Sequence, residues 1–241
     1  MKADRPITLA IYIGYTLFKN GFPVAYGGSW VFGRSALFGL NIFEAFRGGE
    51  SGYVMCQLLR VYRHAFSIDH FEVEPYQYGR DNADGIKSGA FWFYYRYGFR
   101  PVDKKLYALA EKEQSLIRST KGYRSSEEVL LQFTEGNIAL QGGKKPAKLT
   151  TLTGKVSAMI RKEFKGVRLL AVEVCTKRFF EKTGSKLRYT DEQKIVLTDF
   201  ALLSNALKIE DETQYEIMHQ LIKAKPIDPY QYNQLIIRMF P

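Results

Sequence analysis

Phe46-Arg47-Gly48-Gly49-Glu50-Ser51-Gly52 is the stretch on which the fold turns, because the apolar periodicity changes across it. Upstream, residues 7–18 (ITLAIYIGYTLF) are β-branched and aromatic, Asn20-Gly21 follows as a hairpin signal, and a second such run covers Val24 to Phe32. After Gly33-Arg34 the stretch Ala36 to Phe46 is again apolar and extended, so the opening reads as a three-strand antiparallel meander. Downstream, Met55, Leu58, Leu59, Tyr62 and Phe66 recur at helical spacing from Gly52 onward. Phe71 and Val73 then alternate with Glu72 and Glu74 in a short strand from His70 to Pro75, which proline ends. Asp81-Asn82 offers a cap to a helix reaching Tyr97, with Gly98 as its stop.

A glycine-rich turn between a strand and a helix lets main-chain N–H groups converge on an anion, and the helix N-terminus adds partial positive charge. Phosphate or pyrophosphate is the natural guest, although such turns also arise for geometric reasons alone. A second segment, Ala90-Phe91-Trp92-Phe93-Tyr94-Tyr95-Arg96-Tyr97-Gly98-Phe99, is dense in aromatic residues suited to a core helix. Together the two segments resemble GNAT acyltransferases, in which an Arg/Gln-x-x-Gly-x-Gly/Ala turn binds acyl-CoA and a later helix ends in Tyr-x-x-x-Gly-Phe. Tyr94 to Phe99 matches that ending, and the order of strands and helices agrees over about residues 6–103.

The resemblance implies a GNAT-like, mixed, mostly antiparallel sheet with flanking helices, and acetyl-CoA or another acyl-CoA as co-substrate. By position, Arg47, Gly48, Gly49, Ser51 and Gly52 would hold the CoA pyrophosphate, and Tyr94 would protonate the leaving thiolate. Glu74 is the candidate base for an amine acceptor, with Glu44 and Glu72 as further carboxylates near the expected cleft. The sequence departs from the family in three ways. Glu50 stands where the first motif glycine is expected, bringing negative charge beside a pyrophosphate. The family's asparagine about seven residues before its tyrosine is replaced by Lys87, and its N-terminal strand and two helices have almost no residues here. The chain is therefore expected to be a fragment of a longer protein. The resemblance also implies one or two more strands after Phe99.

Beyond Asp103 strand signals fade and helix starts take over: Ser125 with Glu128, Thr190 with Gln193, and Asp228-Pro229. The expected organisation is thus α+β, with a GNAT-like domain over 1–103 and a basic all-helical domain of about five to seven helices over 104–241. Gly142-Gly143-Lys144-Lys145-Pro146 reads as an exposed linker. Residues 144–194 hold 14 Lys/Arg against 5 Asp/Glu, nearly all of the chain's net charge of +10. Such a block, including Lys144, Lys145, Lys155, Arg161, Lys162 and Lys186, would serve nucleic acid or an acidic protein if its members shared one face. Otherwise it is a solvated surface.

Cys56 and Cys175 are the only cysteines, each within an apolar helical pattern, which argues against a disulfide framework. His64, His70 and His219 lack partners at metal-ligand spacing, so no metal is expected. With no signal peptide, no membrane-spanning run and no Walker or Gly-x-Ser-x-Gly turn, the sequence points to a cytoplasmic protein outside the hydrolase and nucleotidase classes. The functional expectation is an acyl-CoA-dependent N-acyltransferase of unknown acceptor. The alternatives are a catalytically degenerate GNAT-like scaffold and a nucleic-acid-binding protein acting through the basic helices.

Overall fold

The computed structural model describes residues 7–143, 146–184 and 188–241, as an α+β fold with a six-stranded sheet and ten α-helices among them. The chain divides into two compact units. One comprises Tyr12–Val31 and the residues from Ser35 through the last strand; the other comprises the residues before Tyr12, Phe32–Arg34 and the chain from Pro146 onward.

The sheet unit starts with β1 (Ile11–Lys19), β2 (Phe22–Phe32) and β3 (Ser35–Ile42). Asn20 and Gly21 take φ of 53° and 83°, the pair of positive values that a two-residue type I′ hairpin requires and that Asn-Gly tolerates. Strand order is β1-β2-β3-β4-β6-β5. Glycines let tyrosines lie flat across the first three strands. Tyr15 passes over Gly27 to donate its hydroxyl to the Gly39 carbonyl at 2.7 Å. Helix α1 (Ser51–Phe66) covers the other buried side chains, with Tyr62 edge-on to Phe38 at 6.1 Å and tilted against Phe66 at 5.9 Å. It carries the chain to β4 (His70–Val73), which runs parallel to β3.

The expected helix from Asn82 to Tyr97 is two helices, α2 (Ala83–Lys87) and α3 (Ala90–Arg96). Gly89, at φ 64°, breaks the run in a left-handed conformation that glycine adopts without strain. Asn82 caps α2 as expected, accepting from the Gly85 amide at 3.3 Å. Phe91 of α3 stacks on Phe133 at 3.8 Å, so the aromatic run is largely core.

The sheet then continues past the point where strand signals fade. β5 (Arg100–Pro101) is followed by α4 (Lys104–Ser119) and α5 (Glu127–Phe133), and β6 (Ile138–Gln141) pairs antiparallel with both β4 and β5. The portion after Asp103 is therefore not all helical, and α4, α5 and β6 stay with the sheet. Four residues of β6, inserted between β4 and β5, are too few to show alternation in the sequence. Ser126 rather than Ser125 caps α5; Ser125 instead gives its hydroxyl to the buried Glu113 at 2.7 Å.

The second unit is built from α6 (Leu149–Glu163), α7 (Arg168–Thr183), α8 (Asp191–Leu207), α9 (Glu212–Ala224) and α10 (Pro229–Met239). α8 is apolar nearly all round and buries Val196, Leu197 and Phe200–Leu203, so it is the central helix. Its N-terminus forms the expected Thr190–Gln193 capping box, and Asp228 with Pro229 opens α10. Residues 7–10, expected to begin the first strand, pack here instead. Leu9 is fully buried, its carbonyl accepts the Tyr232 hydroxyl at 2.7 Å, and the Thr8 amide donates to Asp199 at 3.0 Å. Among the described residues no helix is long and apolar enough to cross a membrane.

Candidate functional site

β3 and β4 pair over three residues only, Ser35 with His70, Ala36 with Phe71 and Leu37 with Glu72. Beyond Val73 the partner strand ends, because Pro75 opens a 3-10 turn (Pro75–Tyr78) and has no N–H for a ladder. β3 runs on to Ile42, and the amide of Leu40 is left facing the gap. The Gln77 side chain meets it: Leu40 N–H donates to Gln77 Oε1 at 3.2 Å. The Tyr94 hydroxyl donates to the same oxygen, also at 3.2 Å. Gly39 keeps this place narrow yet open to Gln77, whose Nε2 lies 3.6 Å from where a Cβ on residue 39 would stand.

Tyr94 is 3% exposed, and burial pushes its phenol pKa well up, so the hydroxyl is protonated at neutral pH. It is held by the α3 C-terminus, where Gly98 at φ 95° turns the chain and Phe99 donates its amide to the Tyr94 carbonyl at 3.2 Å. The Tyr-x-x-x-Gly-Phe pattern is thus a helix stop that fixes one phenol.

The glycine turn lies at the N-terminus of α1. Gly48 has φ of 125°, a conformation that excludes side chains. Its amide donates to the Ser51 hydroxyl at 3.1 Å, and its carbonyl accepts from the Ser51 amide at 3.0 Å. The amides of Gly49 and Gly52 meet no acceptor among the described residues. Arg47 turns back, donating from Nε to the Ile42 carbonyl at 3.1 Å. The carboxylate of Glu50 is drawn to Lys19 Nζ at 2.7 Å, which offsets the negative charge at the turn. Gly52 has its own packing reason: a Cβ there would fall 1.6 Å from the Tyr97 hydroxyl oxygen.

The three candidate carboxylates differ in surroundings. Glu72 accepts from Asn137 Nδ2 at 2.7 Å and is held in the sheet. Glu44 is exposed in a 3-10 turn after β3. Glu74 is exposed at the end of β4, directly before the turn that carries Gln77, and its carbonyl accepts the Gln77 amide at 3.0 Å. Gln77 was not singled out by the sequence. A lone glutamine between two tyrosines carries no motif, and only the strand pairing shows what it reaches.

In the helical unit, Lys155, Arg161, Lys162, Lys165, Lys177, Arg178 and Lys182 are exposed on α6, α7 and the turn between them. Arg178 donates to Asn205 Oδ1 at 3.2 Å, and Lys182 lies 3.8 Å from Glu210. Lys144, Lys145 and Lys186 fall outside the described residues, as does that part of the expected linker. Among the described residues no cluster of His, Cys, Asp and Glu could hold a metal ion. Compared with known proteins, the chain matches no family model, no curated protein and no solved structure.

Proposed function

We propose that the sheet unit is a GNAT-like N-acyltransferase that takes its acyl group from acyl-CoA. One observation supports this reading above the others: the Leu40 amide and the Tyr94 hydroxyl converge on a single side-chain oxygen in the gap where β3 and β4 stop pairing. A pantetheine arm is a chain of amides, and its carbonyl would offer Leu40 the acceptor that Gln77 offers without ligand. The pyrophosphate would then lie against the Gly49 and Gly52 amides at the positive end of α1. An acceptor amine adds to the thioester carbonyl, giving a tetrahedral intermediate. As it collapses the C–S bond breaks, the electron pair goes to sulfur, and the Tyr94 hydroxyl supplies a proton or hydrogen bond to the thiolate. The ammonium proton leaves to water or to Glu74, exposed at the end of β4.

Two features favour a second reading, a GNAT-like module that no longer transfers acyl groups: Gln77 fills the gap, and the Tyr97 hydroxyl covers Gly52. Calorimetric titration with CoA and acetyl-CoA, followed by a transfer assay over a panel of amines, separates the two. The transferase reading expects CoA binding, and turnover that Tyr94→Phe lowers in kcat with KM little changed. Absence of binding at millimolar CoA defeats it, and binding without turnover on any amine leaves the scaffold.

A further inference from the structure

The sheet unit carries a cavity of about 360 Å³ beside the glycine turn, whose apolar interior the transferase reading does not use. Leu17 and Val24 of the first hairpin, Ile42 at the end of β3, and Val54, Leu58 and Val61 of α1 form its walls. Its volume lies at the lower end of the range for small-molecule sites, about 300–1,000 Å³, where apolar walls and a few placed polar groups are the rule. Among the described residues Lys19 and Glu50 supply the only charged side chains on its lining, joined in an ion pair at 2.7 Å with both more than half exposed. Phe18 and Tyr53, 65% and 68% exposed, also line it.

We infer that this cavity binds a medium-chain fatty carboxylate, with the alkyl chain inside and the head group on Lys19. An apolar slot with one exposed ion pair on its lining suits a ligand of one chain and one charge. The sign follows from the surroundings. Glu50 is the N-cap residue of α1, whose partial positive charge adds to that of Lys19 and favours an anion at the mouth. An exposed pair of this kind is weak, so a carboxylate can displace Glu50 from Lys19. The head group would lie at the same end of α1 as the pyrophosphate of the transferase reading, beside the Gly49 and Gly52 amides.

Calorimetric titration of the full chain with hexanoate, octanoate and decanoate, below their micellar concentrations, tests the inference. Affinity should rise about fourfold for each added methylene. Lys19→Gln should weaken decanoate by about two- to fivefold, and Glu50→Gln, which removes the competing carboxylate, should tighten it by a similar factor. Decylammonium should show the reverse order for the two variants. Both positions are surface residues, so each variant should fold. Absence of decanoate binding, affinity indifferent to chain length, or a shift of both variants in the same direction would overturn the inference. So would a dimer in sedimentation that decanoate fails to dissociate, since a second copy would then cover this face. Decanoate binding without CoA binding would remove the transferase and leave this site standing.

Discussion

Gln77→Leu is the sharpest probe of the gap between β3 and β4. The substitution keeps much of the side-chain volume and removes the oxygen that accepts from both Leu40 and Tyr94. Leu40 is 7% exposed and Tyr94 3%, so neither donor gains ready access to water. A buried donor left unsatisfied costs about 1–3 kcal/mol, which makes roughly 2–6 kcal/mol for the pair. Added apolar burial returns roughly 1 kcal/mol, leaving a net loss of about 1–5 kcal/mol from a total of some 5–15. Tyr94→Phe should cost less, about 0.5–1.5 kcal/mol, because the Gln77 oxygen keeps its bond from Leu40. In the Tyr94→Phe background Gln77→Leu strands only one donor, so the double variant should be more stable than the sum of the singles by about 1 kcal/mol or more. Urea unfolding of the four proteins at one pH gives all three values, and an unchanged m-value confirms that the comparison is sound. A loss below 0.5 kcal/mol for Gln77→Leu, or strict additivity, would show that the oxygen does not serve both donors.

Three other outcomes are expected. Gly27→Ala places a methyl 2.4 Å from the Gly39 carbonyl and 2.6 Å from the Tyr15 hydroxyl, so it should cost about 1–3 kcal/mol in urea and release Tyr15, whereas Gly49→Ala, in open space, should be nearly neutral. Glu113 is 4% exposed and accepts from Tyr123 at 3.0 Å and Ser125 at 2.7 Å, so Glu113→Ala should destabilise by roughly 2–4 kcal/mol; a change under 1 kcal/mol would contradict this. His219, whose Nδ1 meets the Tyr189 hydroxyl at 2.8 Å, has its pKa lowered by burial and then by Lys223. Unfolded chains take up a proton near pH 6.5 that the folded state resists, so stability should fall as pH drops below about 6.5 toward the lowered value. His219→Gln should lose this slope. Equal dependence on pH would refute the assignment.

The elements legible in the sequence were those set by local rules. Asn20-Gly21 specifies a hairpin through its own torsions, Thr190 and Gln193 satisfy a helix end between themselves, and the α1 stripe repeats at helical spacing. What the sequence hid depends on distant partners. β6 is a strand because β4 and β5 receive it on either side. Residues 7–10 have strand composition, yet Asp199 and Tyr232, about 190 and 220 positions away, take their main-chain groups. Gly89, inside the span expected as one helix, divides α2 from α3 through a left-handed torsion. Gln77 matters only because β4 stops short of Leu40, which no local pattern encodes.

The glycine turn and the gap also carry unequal weight for function. Nearly every feature of the turn has a local cause: a torsion at Gly48, the Tyr97 hydroxyl over Gly52, Lys19 beside Glu50, and the Ile42 carbonyl under Arg47. Such a turn would be built this way with or without an anion. The gap is different, because a sheet gains nothing by ending one strand at Val73 and leaving the next amide of its neighbour to a side chain. Continued pairing would have satisfied Leu40 more simply through the backbone. A fold that instead spends a glutamine there, and aims a buried phenol at the same oxygen, keeps a main-chain donor and a protonated hydroxyl within reach of one acceptor. Acyl transfer therefore depends on whether a ligand's carbonyl can replace that of Gln77, more than on the glycine turn.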